Sequence, residues 1–445
     1  MSSEKTLYVV HCIDTEGPLN ETLEATFKRL KSIFGIELEP TQKNLKDIQN
    51  CRLDFNGQEA SIAKCFSQDL LRYNRNWVEI DLMLSEALSK NFREKQLDDY
   101  GGGWVYSWHC MDHVGLSENP RNKDIGYGNI FNHYSSILKN SESDQDEINW
   151  HFHPLSLTRN PLHAATSYEN NFDLLHQILC RRIIDHNWFP VVNRPGFHAE
   201  RPDSHLFLEQ WLPFDYANQC GTNLTNQPDL SFGRFGDWER APETWRGYHP
   251  DHDDYQREGS CRRRIFRCLN VGTRFRALTG QHVRAAFAEA DECGSAILAF
   301  ADHDYRDIRK DVDAVRKLLG VVKLEYPSVK IRYAGAEAAA VELLGLQQKP
   351  RLELTLRLDS DRIYVEVVSG EIFGPQPYLA IKTKQNNYFH DNFDMLESKR
   401  KWTYVFDEQT FKLDCISAIG VGSAGRYGGF DIKILELATK CSLPR

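Results

Sequence analysis

The chain has 445 residues, of which 41% are hydrophobic and 26% are charged, a composition that excludes a disordered protein. Its formal net charge of −9 disfavours nucleic acid as a partner, because that binding depends on a surplus of Lys and Arg. One hydrophobic core stops growing at roughly 250–300 residues, so the length predicts a large domain and a smaller one.

The N-terminal sequence predicts neither a secretion signal nor a membrane span. Residues 1–5 are polar, and the apolar run at 7–10 is too short for either. The 11 cysteines include no C-x-x-C pair, which favours free thiols in a reducing compartment. We therefore expect a cytoplasmic protein without a membrane span, and a homo-oligomer stays open.

Strand-like and helix-like patterns alternate through residues 1–346. The predicted strands are 7–13, 104–110, 148–153, 189–193, 296–301 and 330–333. The predicted helices are 22–34, 78–92, 172–186, 281–290, 308–321 and 336–344. Segments 54–76 and 220–264 fit no regular unit, and the second is interpreted as a long functional loop. The alternation predicts an α/β domain with a mainly parallel sheet or a barrel.

The pattern changes near residues 347–350. Apolar residues then alternate with polar ones at 352–358, a turn follows at 359–361, and a second strand covers 363–368. Further strands are predicted at 378–382, 402–406, 416–421 and 430–437. Residues 351–445 are therefore expected to form a small all-β, sandwich-like domain.

Asp14 and Glu16 follow the first predicted strand, at the edge where β/α folds hold ligands. Since side chains alternate along a strand, both carboxylates point the same way. A metal ligand beside a general base is the chemistry that uses such a pair. A solvated strand end or a helix-capping pair would give the same residues.

His151 and His153 end another apolar strand, and the same alternation places both imidazoles on one face. Zinc commonly takes two His and one carboxylate and keeps a fourth position for water. Metal binding is favoured, although each His alone would read as a packed core or surface residue.

His303 lies between Asp302 and Asp304, where a strand meets a charged turn. Flanking carboxylates bias an imidazole towards its protonated form, as a general acid requires. The alternative is a capping turn with His303 facing water. Arg194, before the Pro195-Gly196 turn, is either a bidentate partner of a carboxylate or a buried ion-pair residue.

These segments, in this order, resemble the NodB-type polysaccharide deacetylases, specifically the subgroup with D-x-E and W-H-x-H-P motifs. The resemblance covers about the first 340 residues. It is carried by the segments 14–16, 150–154, 194–196, 213–216 and 302–304. It implies a distorted (β/α) barrel with a divalent metal, most often Zn²⁺, followed here by the all-β domain.

The resemblance also implies roles for individual residues. Asp14 would be the catalytic base, Glu16, His151 and His153 the metal ligands, Arg194 the brace of the base and His303 the acid that protonates the leaving amine. The predicted substrate-binding residues are Trp104, Asp112, Trp238 and Asp302. Trp238, Trp245 and Tyr248 would stack on a sugar ring, or simply pack in the core.

Two positions differ from the usual family pattern. Thr15 separates the two acids of the first motif, and Leu155 replaces the second histidine, which the family usually places four residues after the first. The alternative imidazole ligands are His163, His109 and His113.

The expected function is the metal-dependent removal of an N-acyl group from an amino sugar of a surface-glycan precursor or polysaccharide. One alternative is an amidohydrolase, although in that class the H-x-H motif belongs on the first barrel strand. The other is a non-catalytic carbohydrate-binding protein on the same barrel. The letters Gly420-x-Gly422-x-x-Gly425 match a dinucleotide fingerprint, but no helix is predicted after them.

Overall fold

Seven parallel strands close into a barrel. The structure, a computed structural model, describes residues 4–161, 163, 167–221, 236–273 and 276–437. The barrel strands are β1 Lys5–Thr15, β2 Ser107–Met111, β3 Glu147–Phe152, β4 Val192–Pro195, β5 Phe214–Asn218, β6 Arg264–Asn270 and β7 Ser295–His303. They follow one another in chain order, and β1 closes the ring by pairing with both β7 and β2.

An eighth strand, β8 Val329–Tyr333, pairs with the first half of β1 outside the ring. Residues 5–9 of β1 pair with β8, whereas residues 12–15 pair with β2. Every residue of β1 after Lys5 is buried, as expected of a parallel strand covered on both faces.

Helices surround the barrel. They are α1 Leu23–Phe34, α2 Gln42–Gln49, α3 Glu59–Cys65, α4 Trp77–Ala87, α5 Lys90–Arg93, α6 Asn129–Asn140, α7 Phe172–His186, α8 Pro202–Trp211, α9 Gly280–Cys293, α10 Ile308–Lys323 and α11 Ala336–Leu343. The single helix predicted at 78–92 is two helices, because the Ser89 hydroxyl accepts a hydrogen bond from Phe92 N and starts a new one.

Two four-stranded antiparallel sheets follow the barrel. One contains β9 Glu353–Asp359, β10 Arg362–Ser369, β13 Asp394–Glu397 and β14 Lys401–Val405. The other contains β11 Tyr378–Thr383, β12 Tyr388–Asp391, β15 Ile416–Ala424 and β16 Phe430–Glu436. Both sheets contribute to one core, with Ile363 and Val365 from the first and Ile381 and Ile419 from the second. The expected order, a (β/α) barrel and then β sheets, is confirmed.

Helix α7 joins the barrel to the second sheet. His176 Nδ1 lies 2.8 Å from the Tyr378 hydroxyl, and Gln177 Nε2 donates to the Tyr388 carbonyl at 2.7 Å. The imidazoles of His176 and His390 stack with their centroids 4.6 Å apart. None of the helices in the described ranges has the length and apolar character needed to cross a membrane.

Candidate metal centre and active site

The strand register places the predicted site residues side by side at one end of the barrel. Asp14 on β1 is opposite His303 on β7, and His151 on β3 is opposite Arg194 on β4. The carboxyl ends of parallel strands share one edge, so residues far apart in sequence meet there.

Glu16, His151 and His153 form a group that could hold a metal ion. The Nε2 atoms of the two histidines are 2.9 Å apart, and His153 Nε2 is 3.3 Å from Glu16 Oε1. Three ligand atoms, one from each residue, lie within 4.8 Å of one another. Ligands at zinc's bond length of about 2.1 Å stand roughly 3.4 Å apart in a tetrahedron, so these donors need little movement to converge on one cation.

His151 is oriented by a backbone carbonyl. Its Nδ1 lies 2.6 Å from Arg194 O and must donate a proton to that oxygen. In a neutral ring the lone pair is therefore on Nε2, the atom that faces His153. Burial lowers the pKa of His151 to about 4, although Asp14 opposes the shift. The ring is therefore neutral at pH 7, the form that binds metals.

His153 is held by the turn that follows β4. A Cβ atom on Gly196 would lie only 2.2 Å from His153 Cδ2, so no other residue fits at this position without moving the imidazole. The Phe197 ring packs edge-on against the His153 ring, with the ring centroids 4.5 Å apart. The Pro195-Gly196 turn thus fixes the second imidazole of the group.

Glu16 is fixed by three neighbours that the sequence did not reveal. Asp304 accepts hydrogen bonds from the backbone N–H groups of Glu16 and Gly17, each at 2.9 Å. His113 Nε2 lies 2.9 Å from Glu16 O, and Lys123 Nζ lies 2.6 Å from Oε2. Burial raises the pKa of Glu16, but the nearby Lys123 and His153 lower it by more. The net result is a pKa well below the usual range of a glutamate. Oε1 stays turned towards the imidazoles.

Asp14 is paired with Arg194 as predicted. Arg194 Nε lies 2.7 Å from Asp14 Oδ1, and its NH1 donates to Tyr216 O at 3.1 Å. Burial raises the pKa of Asp14, yet Arg194 and the imidazoles of His151 and His303 bring it below its ordinary value. Asp14 is therefore ionised at neutral pH.

His303 lies 3.7 Å from Asp14 Oδ2 and 3.8 Å from Glu16 Oε1. The expectation that the flanking acids Asp302 and Asp304 keep it protonated is wrong, because they bond to His11 and to the backbone N–H groups of Glu16 and Gly17 instead. Burial lowers the pKa of His303 more strongly than Asp14 and Glu16 raise it, and Arg306 lowers it further. His303 is thus neutral at pH 7 and must first accept a proton before it can donate one.

A cavity of about 160 Å³ opens above these groups, and Asp14, Glu16, His153 and His303 lie in its wall. His198 also lines it, with φ of 49° in the left-handed region that non-glycine residues seldom adopt. The residue is buried, with 6% of its surface exposed, and its Nδ1 has no hydrogen-bond partner among the described residues. No pattern in the sequence singles out His198, because its place in the cavity wall depends on the closed barrel.

Three of the four predicted substrate-binding residues lie away from the cavity. Trp104 packs against Phe300 and Tyr333 and donates to His11 Nδ1 at 3.1 Å. Asp302 alternates with His303 along β7, so its carboxylate faces the other side, 3.0 Å from His11 Nε2. These two residues belong to the packing outside the barrel, and their assignment to the substrate is corrected.

Trp238 is fully buried, with its indole N–H donated to the His198 carbonyl at 2.8 Å. Trp245 and Tyr248 are buried as well, so core packing explains these aromatics and not stacking on a sugar. Asp112 does line the cavity, but Arg182 binds its Oδ2 at 2.7 Å and the Gly128 N–H binds Oδ1. It therefore shapes the wall with its charge already paired.

The three alternative imidazoles are placed elsewhere. His113 bonds to the Glu16 carbonyl, His109 Nδ1 lies 3.4 Å from Trp150 O, and His163 Nδ1 lies 2.6 Å from Thr158 Oγ1. Within the described ranges, the group whose ligand atoms meet contains none of them.

No model of a known protein family matches this chain, and no curated protein matches it either. The arrangement of the site is therefore what bears on function.

Proposed function

We propose that the chain is a divalent-metal-dependent hydrolase of the polysaccharide deacetylase type. It removes an N-acyl group, an acetyl, from an amino sugar of a glycan precursor or polysaccharide. The observation that carries the proposal is that two groups of side chains with different chemistry lie next to each other at the barrel end. Glu16, His151 and His153 form a ligand group, while Asp14 and His303 stand beside it as a proton-transfer pair.

The ligand group suits a divalent cation, and Zn²⁺ is the cation to test first. One carboxylate and two neutral imidazoles match the donors that zinc takes in catalytic sites. The backbone carbonyl behind His151 and the Gly196 turn behind His153 orient these donors before any metal binds. When bound, such a cation supplies a Lewis acid that polarises an amide carbonyl and makes a nearby water more acidic.

Asp14 acts as the base. Arg194 occupies Oδ1, so Oδ2 is the oxygen that takes the proton of the attacking water. Water then adds to the amide carbon, and the C–N bond breaks as the nitrogen receives a proton. His303, 3.7 Å from Oδ2, takes that proton from Asp14 and delivers it to the leaving amine. One proton thus passes from water to the product, and both side chains return to their starting states.

The position of the histidine pair supports this reaction over an amidohydrolase. In the barrel the acidic pair is at the end of β1 and the histidine pair is at the end of β3, whereas the amidohydrolase pattern has H-x-H on the first strand. The amino sugar as substrate rests on the motif resemblance to the NodB-type deacetylases.

Metal content and acetate release test the proposal together. Purified protein is expected to bind about one equivalent of zinc and to release acetate from N-acetylglucosamine or its oligomers. Asp14→Asn should keep the metal and lose at least about a hundredfold in turnover, because the base is gone. Glu16→Gln should lose the metal as well. Glu325→Gln, an exposed residue on another face, is the control.

A full equivalent of metal with no acetate release from any N-acetyl saccharide would overturn the deacetylase assignment. If such a protein still bound saccharides, and Asp14→Asn bound them equally, it would be a carbohydrate-binding protein.

A further inference from the structure

Four cationic side chains line one side of the cavity, next to the ligand group. They are Arg29, Arg121, Lys123 and Arg306. Two tyrosine rings connect them. Lys123 Nζ lies 4.5 Å from the centre of the Tyr305 ring, and Arg306 Cζ lies 5.0 Å from Tyr305 and 5.6 Å from Tyr73. We call these four cations and two tyrosines the cationic subsite.

The subsite carries more positive than negative charge. Glu21 pairs with both Arg29, at 2.8 Å, and Arg121, at 3.3 Å. Lys123 pairs with Glu16, which is itself a member of the ligand group. Four cations therefore share two carboxylates, and one of those is the proposed metal ligand.

Arg306 is the cation without a carboxylate. In the described part of the chain no acidic oxygen lies within 4.0 Å of its guanidinium, and its buried Nε has no hydrogen-bond partner. Its NH2 group donates a hydrogen bond to Leu70 O at 3.3 Å. A partly desolvated guanidinium without an anion costs free energy. Binding of an anion next to Arg306 would therefore be favourable.

The other acids of the cavity wall do not fill this need. Asp14 is paired with Arg194 and Asp112 with Arg182. Glu118 is exposed and forms no ion pair with the described residues, and it belongs to the loop that also carries Arg121.

The subsite adjoins the reacting groups. The Tyr305 ring packs on His303 with centroids 4.7 Å apart, and Lys123 contacts Glu16 directly. We propose that the cationic subsite binds an anionic substituent of the substrate, a phosphate or a carboxylate, so that the enzyme acts on acidic N-acyl sugars. This inference rests on the proposed function. The planar guanidinium of Arg306 suits bidentate binding of either anion.

Anion binding is tested first without turnover. Inorganic phosphate is titrated by calorimetry into the zinc-loaded full chain and into the metal-free full chain. We expect binding in both forms, weakened about tenfold or more in Arg306→Gln and less in Arg306→Lys, which keeps the charge. Arg284→Gln, which removes an exposed arginine on α9, is the matched control. Unfolding temperature and zinc content show whether each variant is folded, and Arg121→Gln is the second variant should Arg306→Gln fail to fold.

Turnover then identifies the anion. N-acetylglucosamine, its 1-phosphate and the corresponding uronic acid are compared by kcat/KM. Preference for the 1-phosphate indicates a phosphate group, and preference for the uronic acid indicates a carboxylate. In Arg306→Gln the ratio of charged to neutral substrate should fall about tenfold.

Equal kcat/KM for the neutral and charged sugars, or phosphate binding unchanged in Arg306→Gln and Arg121→Gln, would overturn the cationic subsite. Phosphate binding that depends on Arg306 in a protein that hydrolyses none of the three sugars would leave the subsite standing and defeat the deacetylase proposal.

Discussion

Arg194 Nε lies 2.7 Å from Asp14 Oδ1, and both side chains are buried at the barrel end. Two strands that are not neighbours, β1 and β4, are thereby linked through the barrel interior. The pair holds the proposed base ionised and in one orientation, with its second oxygen towards His303.

Replacing this arginine should harm both stability and catalysis. Arg194→Gln leaves the Asp14 carboxylate buried without its cation, which costs about 3–5 kcal/mol in the free energy of unfolding. The pKa of Asp14 should rise, because Arg194 is the strongest of the groups that lower it. The acidic limb of the kcat/KM profile therefore moves to higher pH, measured by acetate release between pH 4 and 9. An unchanged profile would contradict the base role of Asp14.

Gly196→Ala should weaken metal binding without removing any ligand. The added methyl would meet His153 at 2.2 Å and push the imidazole away from Glu16. We expect at least about a tenfold loss in zinc affinity, measured by chelator competition. Gly280→Ala, with its nearest neighbour atom at 3.9 Å, is the control. Equal zinc affinity in both variants would rule out His153 as a ligand.

Asp304→Ala should loosen the turn that carries Glu16. The carboxylate accepts hydrogen bonds from Glu16 N, Gly17 N and the Tyr134 hydroxyl, and all three buried donors lose their partner. Unfolding free energy should fall by about 2–4 kcal/mol, and zinc affinity should fall with it. Tyr134→Phe removes only one of these bonds and should retain most of the affinity. If Asp304→Ala bound zinc normally, Glu16 would not be a ligand.

His198→Ala should lower turnover while leaving the metal in place. The imidazole is neutral, because burial holds its pKa well below the ordinary value, and it lines the cavity without a described partner. A hydrogen bond to the substrate is the role that fits, and its loss should reduce kcat/KM about tenfold. The reduction should be absent for His252→Ala, in which the lost imidazole is exposed. Normal kcat/KM in His198→Ala would contradict a hydrogen bond to the substrate, and the left-handed backbone at His198 would then have only a structural role.

The contact between the barrel and the second sheet should weaken in acid. Burial, with His390 beside it, lowers the pKa of His176 from 6.5 to about 4. The folded state therefore binds this proton more weakly than the unfolded state, and the stability present above pH 6.5 is lost as the pH falls towards 4. One pKa unit is worth about 1.4 kcal/mol, so the full loss is on the order of 3–4 kcal/mol. The free energy of unfolding, measured with denaturant, should differ less between pH 7 and pH 5 in His176→Gln than in the parent protein. An equal difference would contradict the assignment of this pH dependence to His176.

Much of the barrel and the ligand group could be predicted because local sequence determines them. Strands β1, β3 and β7 are apolar runs that end in polar motifs, and side-chain alternation pairs Glu16 with Asp14 and His151 with His153. Strands β5 and β6 were missed because polar residues interrupt their patterns. Asp215 on β5 pairs with Arg263, just before β6, inside the fold. Burial of such an ion pair depends on tertiary packing, so the local sequence pattern does not reveal it.

The remaining site residues depend on long-range packing. Lys123 and Arg306 lie in segments without periodicity, and only the closed barrel brings them to Glu16 and His303. Asp302 and Asp304 flank His303 in the sequence, whereas its neighbours Asp14 and Glu16, and the burial that outweighs their effect on its pKa, appear only in the fold. Trp238 reads equally well as a sugar platform or a core residue until its indole N–H is seen to bond a carbonyl.

The hydrogen bonds from Glu16 N and Gly17 N to Asp304 span 288 and 287 residues of sequence. During synthesis the apolar strand β1 therefore leaves the ribosome long before β7, its partner along most of its length. Until then one edge of β1 has no partner, and an unpaired apolar strand edge promotes aggregation. Chains truncated before β7 should accordingly be insoluble. Conditions that protect the nascent chain from aggregation should raise the yield of the 445-residue protein.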